Sequence, residues 1–170
     1  MGNFDPDVLL AKARAGHSLR KNTEKSRKRL LVDVASIDGM SKVVSWCSNR
    51  GIDVKVVSSP SGCDLDSDVI TLNSRLIPET QLHQLLHECG HFIIENDLSF
   101  EERNLRWSRI QTDPKVHTKP SAIEVVDEEI EAWNQGLKLA QKLSVSVDTE
   151  AFSRHKAESI TSYMKWALDV

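Results

Sequence analysis

The order of apolar and polar positions divides the chain into helices with two short strands between them. Asp5-Pro6 reads as an N-cap followed by a proline in the first turn, so a helix is expected to open there and run to the late twenties. Val43, Val44 and Cys47 share one side of a second expected helix over 39–50, with Gly51 as its stop. Asp53-Val54-Lys55-Val56-Val57 and Val69-Ile70-Thr71-Leu72-Asn73 read as strands, separated by a turn at Ser58-Ser59-Pro60-Ser61-Gly62. Pro78-Glu79 opens a helix over about 78–95. Along it Leu82, Leu85, Leu86, Cys89 and Ile93 recur at i, i+3, i+4, i+7 and i+11, a stripe that faces a core.

Residues 96–120 are polar and contain Pro114 and Pro120, which predicts a long excursion with one short helix around Glu101–Ile110. Ser121-Ala122-Ile123-Glu124 fits a capping box at the head of a helix over roughly 122–143. Asp148 precedes a last helix, about 149–168, whose buried side is expected to hold Phe152, Ile160, Tyr163, Met164 and Ala167. With 170 residues the chain is long enough to bury a core without staples. One domain over 1–170 is expected, with N-terminal helices over 1–50, a core over 51–145 and a C-terminal helix over 146–170.

Composition narrows the class. A hydrophobic fraction of 39% and a charged fraction of 28% suit a soluble globular protein, and no apolar run has the length of a membrane span. Met1-Gly2-Asn3-Phe4-Asp5 has neither the basic start and apolar segment of a secretory signal nor the Ser or Thr of a myristoylation signal. Three cysteines (Cys47, Cys63, Cys89) form no CxxC pair, which argues against a disulfide framework or a four-cysteine metal site and points to a reducing, cytoplasmic setting. Charge is uneven: residues 1–30 hold eight Lys/Arg against three Asp/Glu, in a chain of net charge −3. The cluster Arg20, Lys21, Lys25, Arg27, Lys28 and Arg29 could meet a nucleic acid or an acidic partner. No aromatic residue interleaves those charges, so a solvated helix face is the simpler reading.

The chemistry concentrates at His87-Glu88-Cys89-Gly90-His91, an H-E-x-x-H pattern. Two histidines four apart on a helix project from one side, so both imidazoles can reach one zinc ion. The glutamate between them then stands beside the open coordination position. His83 lies one turn before His87 as a rival ligand, but no glutamate follows it in the base position, so it reads as a supporting or solvent-facing residue. Cys89 falls on the core stripe and reads as a small buried hydrophobe, with inhibitory metal ligation as the alternative. Trp107 and Trp166 read as packing residues.

A catalytic zinc site needs a third protein ligand. The longer H-E-x-x-H-x-x-G-x-x-H pattern fails, because Ile94 and Asp97 stand at its Gly and His positions. On the helix over 122–143, Val125, Val126, Ile130, Ala132, Trp133, Gly136, Leu137, Ala140 and Leu143 form one apolar arc at about 100° per residue. Glu129 lies within that arc, whereas Glu128 and Glu131 are expected on the opposite side with Gln135, Lys138 and Lys142. A carboxylate in an apolar face is costly unless it is paired or binds metal, which makes Glu129 the best third ligand. The alternatives are a buried arginine partner or a rim position for Glu129, with His117 and Glu124 next as ligands.

The segment Leu85-Leu86-His87-Glu88-Cys89-Gly90-His91-Phe92, with Glu129-Ile130-Glu131-Ala132 later in the chain, resembles zinc metallopeptidases of the ImmA/IrrE type. The likeness spans about residues 35–145 and is specific at those two blocks. It departs at Trp133, where the family has Asn or Asp, and at Gln135-Gly136, where it has Phe-Ala. The resemblance implies a zincin-like α+β fold of the gluzincin kind: a small, mostly antiparallel sheet packed against the active-site helix and several further helices. It also implies Glu129 as third ligand and Glu88 as general base. Members of the family include enzymes that cleave phage or stress-response repressors, and short members occur in phages.

The expected activity is therefore zinc-dependent hydrolysis of a peptide bond in a protein or peptide substrate, with Zn²⁺ as cofactor. Glu88 takes the proton of the attacking water and passes it to the leaving amine. The strand over 69–73 could present an edge to an extended substrate. Tyr163, His117 and His155 are the candidates for stabilising the oxyanion. The competing class is a zinc-stabilised regulatory or phage accessory protein that acts by binding, through the basic N-terminal helix among other surfaces, with little or no proteolysis. No membrane partner is expected.

Overall fold

A computed structural model describes residues 2–3, 7, 11, 24–99 and 119–169. The opening helix expected from Asp5, the short helix around Glu101–Ile110, and His117, Trp107, Arg20 and Lys21 fall largely or wholly outside those residues. Among the described residues the elements are β1 (Gly2–Asn3), α1 (Glu24–Ser48), β2 (Asp53–Val57), β3 (Gly62–Asp64), β4 (Val69–Asn73), α2 (Pro78–Asp97), α3 (Lys119–Lys142) and α4 (Thr149–Asp169).

The expected second helix starts much earlier than residue 39, because α1 runs unbroken from Glu24. Its buried stripe is Asp33, Ser36, Ile37, Met40, Val43, Trp46 and Cys47. Two polar members conceal the helical period over its first half. The helix ends as expected at Gly51, whose φ of 77° suits a residue without a Cβ. Ile52 N–H donates to Cys47 O (3.0 Å) and Gly51 N–H to Ser48 O (3.1 Å), the paired bonds of a Schellman cap.

Both expected strands are present, and a third lies between them in sequence. The sheet order is β1-β2-β4-β3. β2 and β4 run parallel, Asp53 opposite Val69 through Val57 opposite Asn73, while β1 and β3 pair antiparallel at the two sides. The sheet is thus mixed rather than mostly antiparallel, since its longest pairing is the parallel one. β4 has partners on both sides and offers no edge. The outer strand beside the helices is β3, Gly62-Cys63-Asp64, which begins on the last residue of the expected turn and was not anticipated as a strand. Ile70 and Leu72 alternate inward from β4, fully buried.

α2 lies at the centre and touches α1, α3, α4, β3 and β4, with its largest interface on α3. Pro78 occupies its first turn, and Gln81 Nε2 donates to Asn73 O (2.8 Å), tying its start to the end of β4. Leu82, Leu85 and Leu86 are fully buried, each contributing about 1.5–3 kcal/mol of transfer free energy. Cys89 Sγ lies 3.4 Å from Cys47 Sγ in that core, the packing role expected of it. α3 begins at Lys119, so Ser121 sits inside the helix and not at a capping position. α4 begins where expected: Asp148 Oδ1 accepts from Glu150 N and Ala151 N, each at 3.0 Å. Phe152 is buried and Ile160, Tyr163 and Ala167 are half-buried, but Met164 is 53% exposed, outside the face that packs. No helix among the described residues is long and apolar enough to cross a membrane.

Candidate metal centre

Two glycines bring α2 and α3 to backbone contact. A methyl on Gly90 would overlap the carbonyl of Ala132, and one on Gly136 would overlap the carbonyl of Leu86. Each glycine therefore receives the other helix's main chain. The side chains just beside this crossing, His87 and His91 from α2 and Glu129 from α3, are each 7% exposed and converge.

His87 Nε2 and His91 Nε2 are 3.4 Å apart. Glu129 Oε2 lies 3.2 Å from His87 Nε2, and Glu129 Oε1 lies 3.6 Å from His91 Nε2. Ligands on a tetrahedral centre with bonds of about 2.0–2.1 Å stand roughly 3.3–3.4 Å from each other, so this spacing suits a metal ion. Glu129 Oε2 is buried and, despite its closeness to His87, makes no hydrogen bond. A buried carboxylate with one orphaned oxygen, set against two imidazole nitrogens, is the donor set of a metal site and a poor arrangement for an empty core. Among the described residues no arginine is buried, so none of them pairs with Glu129 in the core. The group His87, His91 and Glu129 can hold a metal ion.

Glu88, also 7% exposed, lies beside these groups. Burial raises its carboxyl above the usual range, opposed by the rings of His87 and His91 and by the Cys63 thiol. Burial would lower the pKa of His91, but the Glu128 hydrogen bond and the carboxylates of Glu129 and Glu88 raise it above the ordinary histidine value. Burial and then Glu88 push the Cys63 thiol up, so it stays protonated at neutral pH.

Two cavities of about 450 and 460 Å³ meet at the centre and share Ser61, His87, Glu88 and Tyr163 in their walls. One extends past Trp133 and His155 toward α4, the other past Cys63, Asp64 and Glu128 along β3. Tyr163 thus stands at the groove. Its hydroxyl is held well above the usual pKa by burial and by the Glu129 carboxylate, which keeps the proton on it. His155 lines the α4 side, and its Nδ1 is 2.7 Å from Nδ1 of His83. His83 is therefore a buried residue paired across to α4, not a solvent-facing one. Glu124 is exposed on α3 and takes no place among the converging ligand atoms.

The expected orientation of Glu128 is overturned. Its Oε1 lies 3.3 Å from His91 Nδ1, where it orients the ring from behind. Leu139 carries the signal that could have found it. That residue is 3% exposed and falls about 20° from Glu128 around the helix, so the buried arc reaches the Glu128 meridian. Cys63 and the His83–His155 pair had no comparable pattern in the sequence. Comparison with protein-family models, with curated proteins and with solved structures returned no match.

Proposed function

We propose that the chain is a zinc-dependent peptidase that hydrolyses a peptide bond of a protein substrate. The observation that carries this reading is the convergence of His87, His91 and Glu129 at ligand spacing with Glu88 beside them on an open groove. Two imidazoles and one carboxylate at that spacing favour zinc over harder cations, which take mostly oxygen ligands. The two motif blocks that resemble ImmA/IrrE-type enzymes support the same assignment and a zincin-like reading of the α+β fold.

When bound, zinc supplies Lewis acidity toward a carbonyl oxygen and makes water at the site more acidic. Glu88 accepts the proton of the attacking water and delivers it to the departing amine. Tyr163, protonated and facing the groove, donates a hydrogen bond to the oxygen that gains charge. His155 is held by His83 and stands farther along the α4 wall, where it contacts the substrate chain. The outer strand β3 lines the groove and pairs with an extended substrate through its main chain. Action in the cytoplasm completes the reading.

Glu88→Gln tests it. The variant should take up zinc as the wild type does and lose about 10²-fold or more of peptide cleavage across a proteome-wide profile. Undiminished biological function in that variant would replace the peptidase with a zinc-stabilised accessory protein that works by binding.

A further inference from the structure

Metal-bound histidines ordinarily donate their second ring N–H to a carboxylate or carbonyl, which fixes the ring and strengthens it as a ligand. The two histidines here differ in this respect. His91 Nδ1 has Glu128 behind it at 3.3 Å, whereas His87 Nδ1 is buried with no hydrogen-bond partner. What lies against His87 instead is an indole. The Trp133 and His87 rings stack with centroids 4.6 Å apart and planes 20° from parallel. Trp133 is itself 3% exposed and braced at its edge by Phe152 of α4, with centroids 5.1 Å apart at 76°.

We propose that Trp133 is a positioning residue for the metal centre, holding the plane of His87 by stacking where a hydrogen bond would ordinarily do so. The inference rests on reading the centre as a zinc site. An imidazole that gives its Nε2 lone pair to a cation becomes electron-poor, and the electron-rich face of an indole favours that state as it favours any cation. A flat ring held between Trp133 on its face and the His91 ring, edge-on with centroids 4.8 Å apart, also has few other orientations to lose on binding. The two ligands are thus held by different physics: His91 by a carboxylate behind it, His87 by an aromatic face over it.

Zinc affinity of the full chain, measured by competition with a chromogenic chelator, tests this. Trp133→Phe keeps an aromatic face and should bind close to the wild type. Trp133→Met fills the volume without a ring and should bind roughly 10- to 100-fold more weakly, the loss typical of a missing support behind a ligand. Folded Trp133→Met that binds as tightly as the wild type overturns the proposal, and so does Trp133→Phe as weak as Trp133→Met. If Trp133→Met does not fold, proton NMR of the wild type decides. The His87 ring protons should be shifted upfield of those of His91 in both zinc-free and zinc-loaded protein, and their absence from that position overturns the stack. Zinc binding that follows this pattern in a protein without peptide cleavage would remove the peptidase reading and leave the role of Trp133 standing.

Discussion

The α2–α3 crossing and the α2–α4 seam flank the same groove, yet they are built from different parts. At the crossing, main chain meets main chain through Gly90 and Gly136. At the seam, rings meet rings: His83 with Phe152 at 5.1 Å, and His83 with His155 through a 2.7 Å contact. Farther along, α4 is lightly seated, with Ile160 and Tyr163 half-buried and Met164 and Leu168 exposed. The crossing sets where His87, His91 and Glu129 stand relative to one another, and it has no compressible part. The seam sets the shape of the groove wall through side chains alone, tightly packed at His83 and Phe152 and looser at the half-buried Ile160 and Tyr163. Ligand placement should therefore be brittle and wall geometry tolerant.

The harshest way to break that contrast is one methyl group. Gly90→Ala puts a Cβ into the Ala132 carbonyl, and neither backbone can yield without parting the helices. A loss of about 3 kcal/mol or more is expected, at the upper end of what overpacking costs. Metal uptake should fall with it, because the Glu129 carboxylate moves away from both imidazoles. Urea unfolding and metal content, measured together, check this. A stable Gly90→Ala that retains metal would show the crossing to be as adaptable as the seam.

The two regions also differed in how far the sequence could be read. The crossing was legible because it rests on helical period: His87 and His91 stand four apart, and Glu129 falls among apolar neighbours. Glu128 escaped because its meridian becomes buried only when Leu139 is counted in the arc. The seam was not legible, since nothing local couples His83 to His155, 72 residues later. The same non-locality hid the parallel register of β2 on β4. α1 was divided wrongly because Asp33 and Ser36 occupy its buried stripe, and hydrophobic period cannot see polar residues that are buried.

Acid should act on the seam. Burial, reinforced by His155 and opposed by Asp148, pushes the His83 pKa down from 6.5 to about 4. In the unfolded chain His83 takes up its proton near 6.5, so between that value and about 4 the unfolded state binds more protons than the folded one. The stability contributed by neutral His83 is complete above pH 6.5 and is lost as pH falls toward 4. After allowance for solvent reaching the half-buried His155, the loss should be about 2 kcal/mol. Urea unfolding of metal-free protein at a series of pH values, compared with His83→Gln, isolates it. The variant's profile should be flatter over this window, while parallel profiles would mean that the seam does not sense acid.

The smallest effect is expected at the joint between the two regions, and its sign is opposite. α3 ends in the same paired-bond cap as α1: Val145 N–H donates to Ala140 O (2.9 Å) and Ser144 N–H to Gln141 O (3.1 Å). The residue turned through the left-handed region is Ser144, at φ 51°, where α1 has Gly51. A Cβ in that region costs roughly 1–2 kcal/mol, and a glycine returns part of the gain as unfolded-state entropy. Ser144→Gly should therefore stabilise the protein by about 0.5–1 kcal/mol. The bond from Lys42 Nζ to Ser144 O uses the main chain and survives the change. Ser144 lines neither cavity at the centre, so zinc affinity and cleavage should stay where they were while the unfolding midpoint rises. If affinity moves together with stability, the α3–α4 joint carries strain into the ligand set, and the crossing is then not set by Gly90 and Gly136 alone.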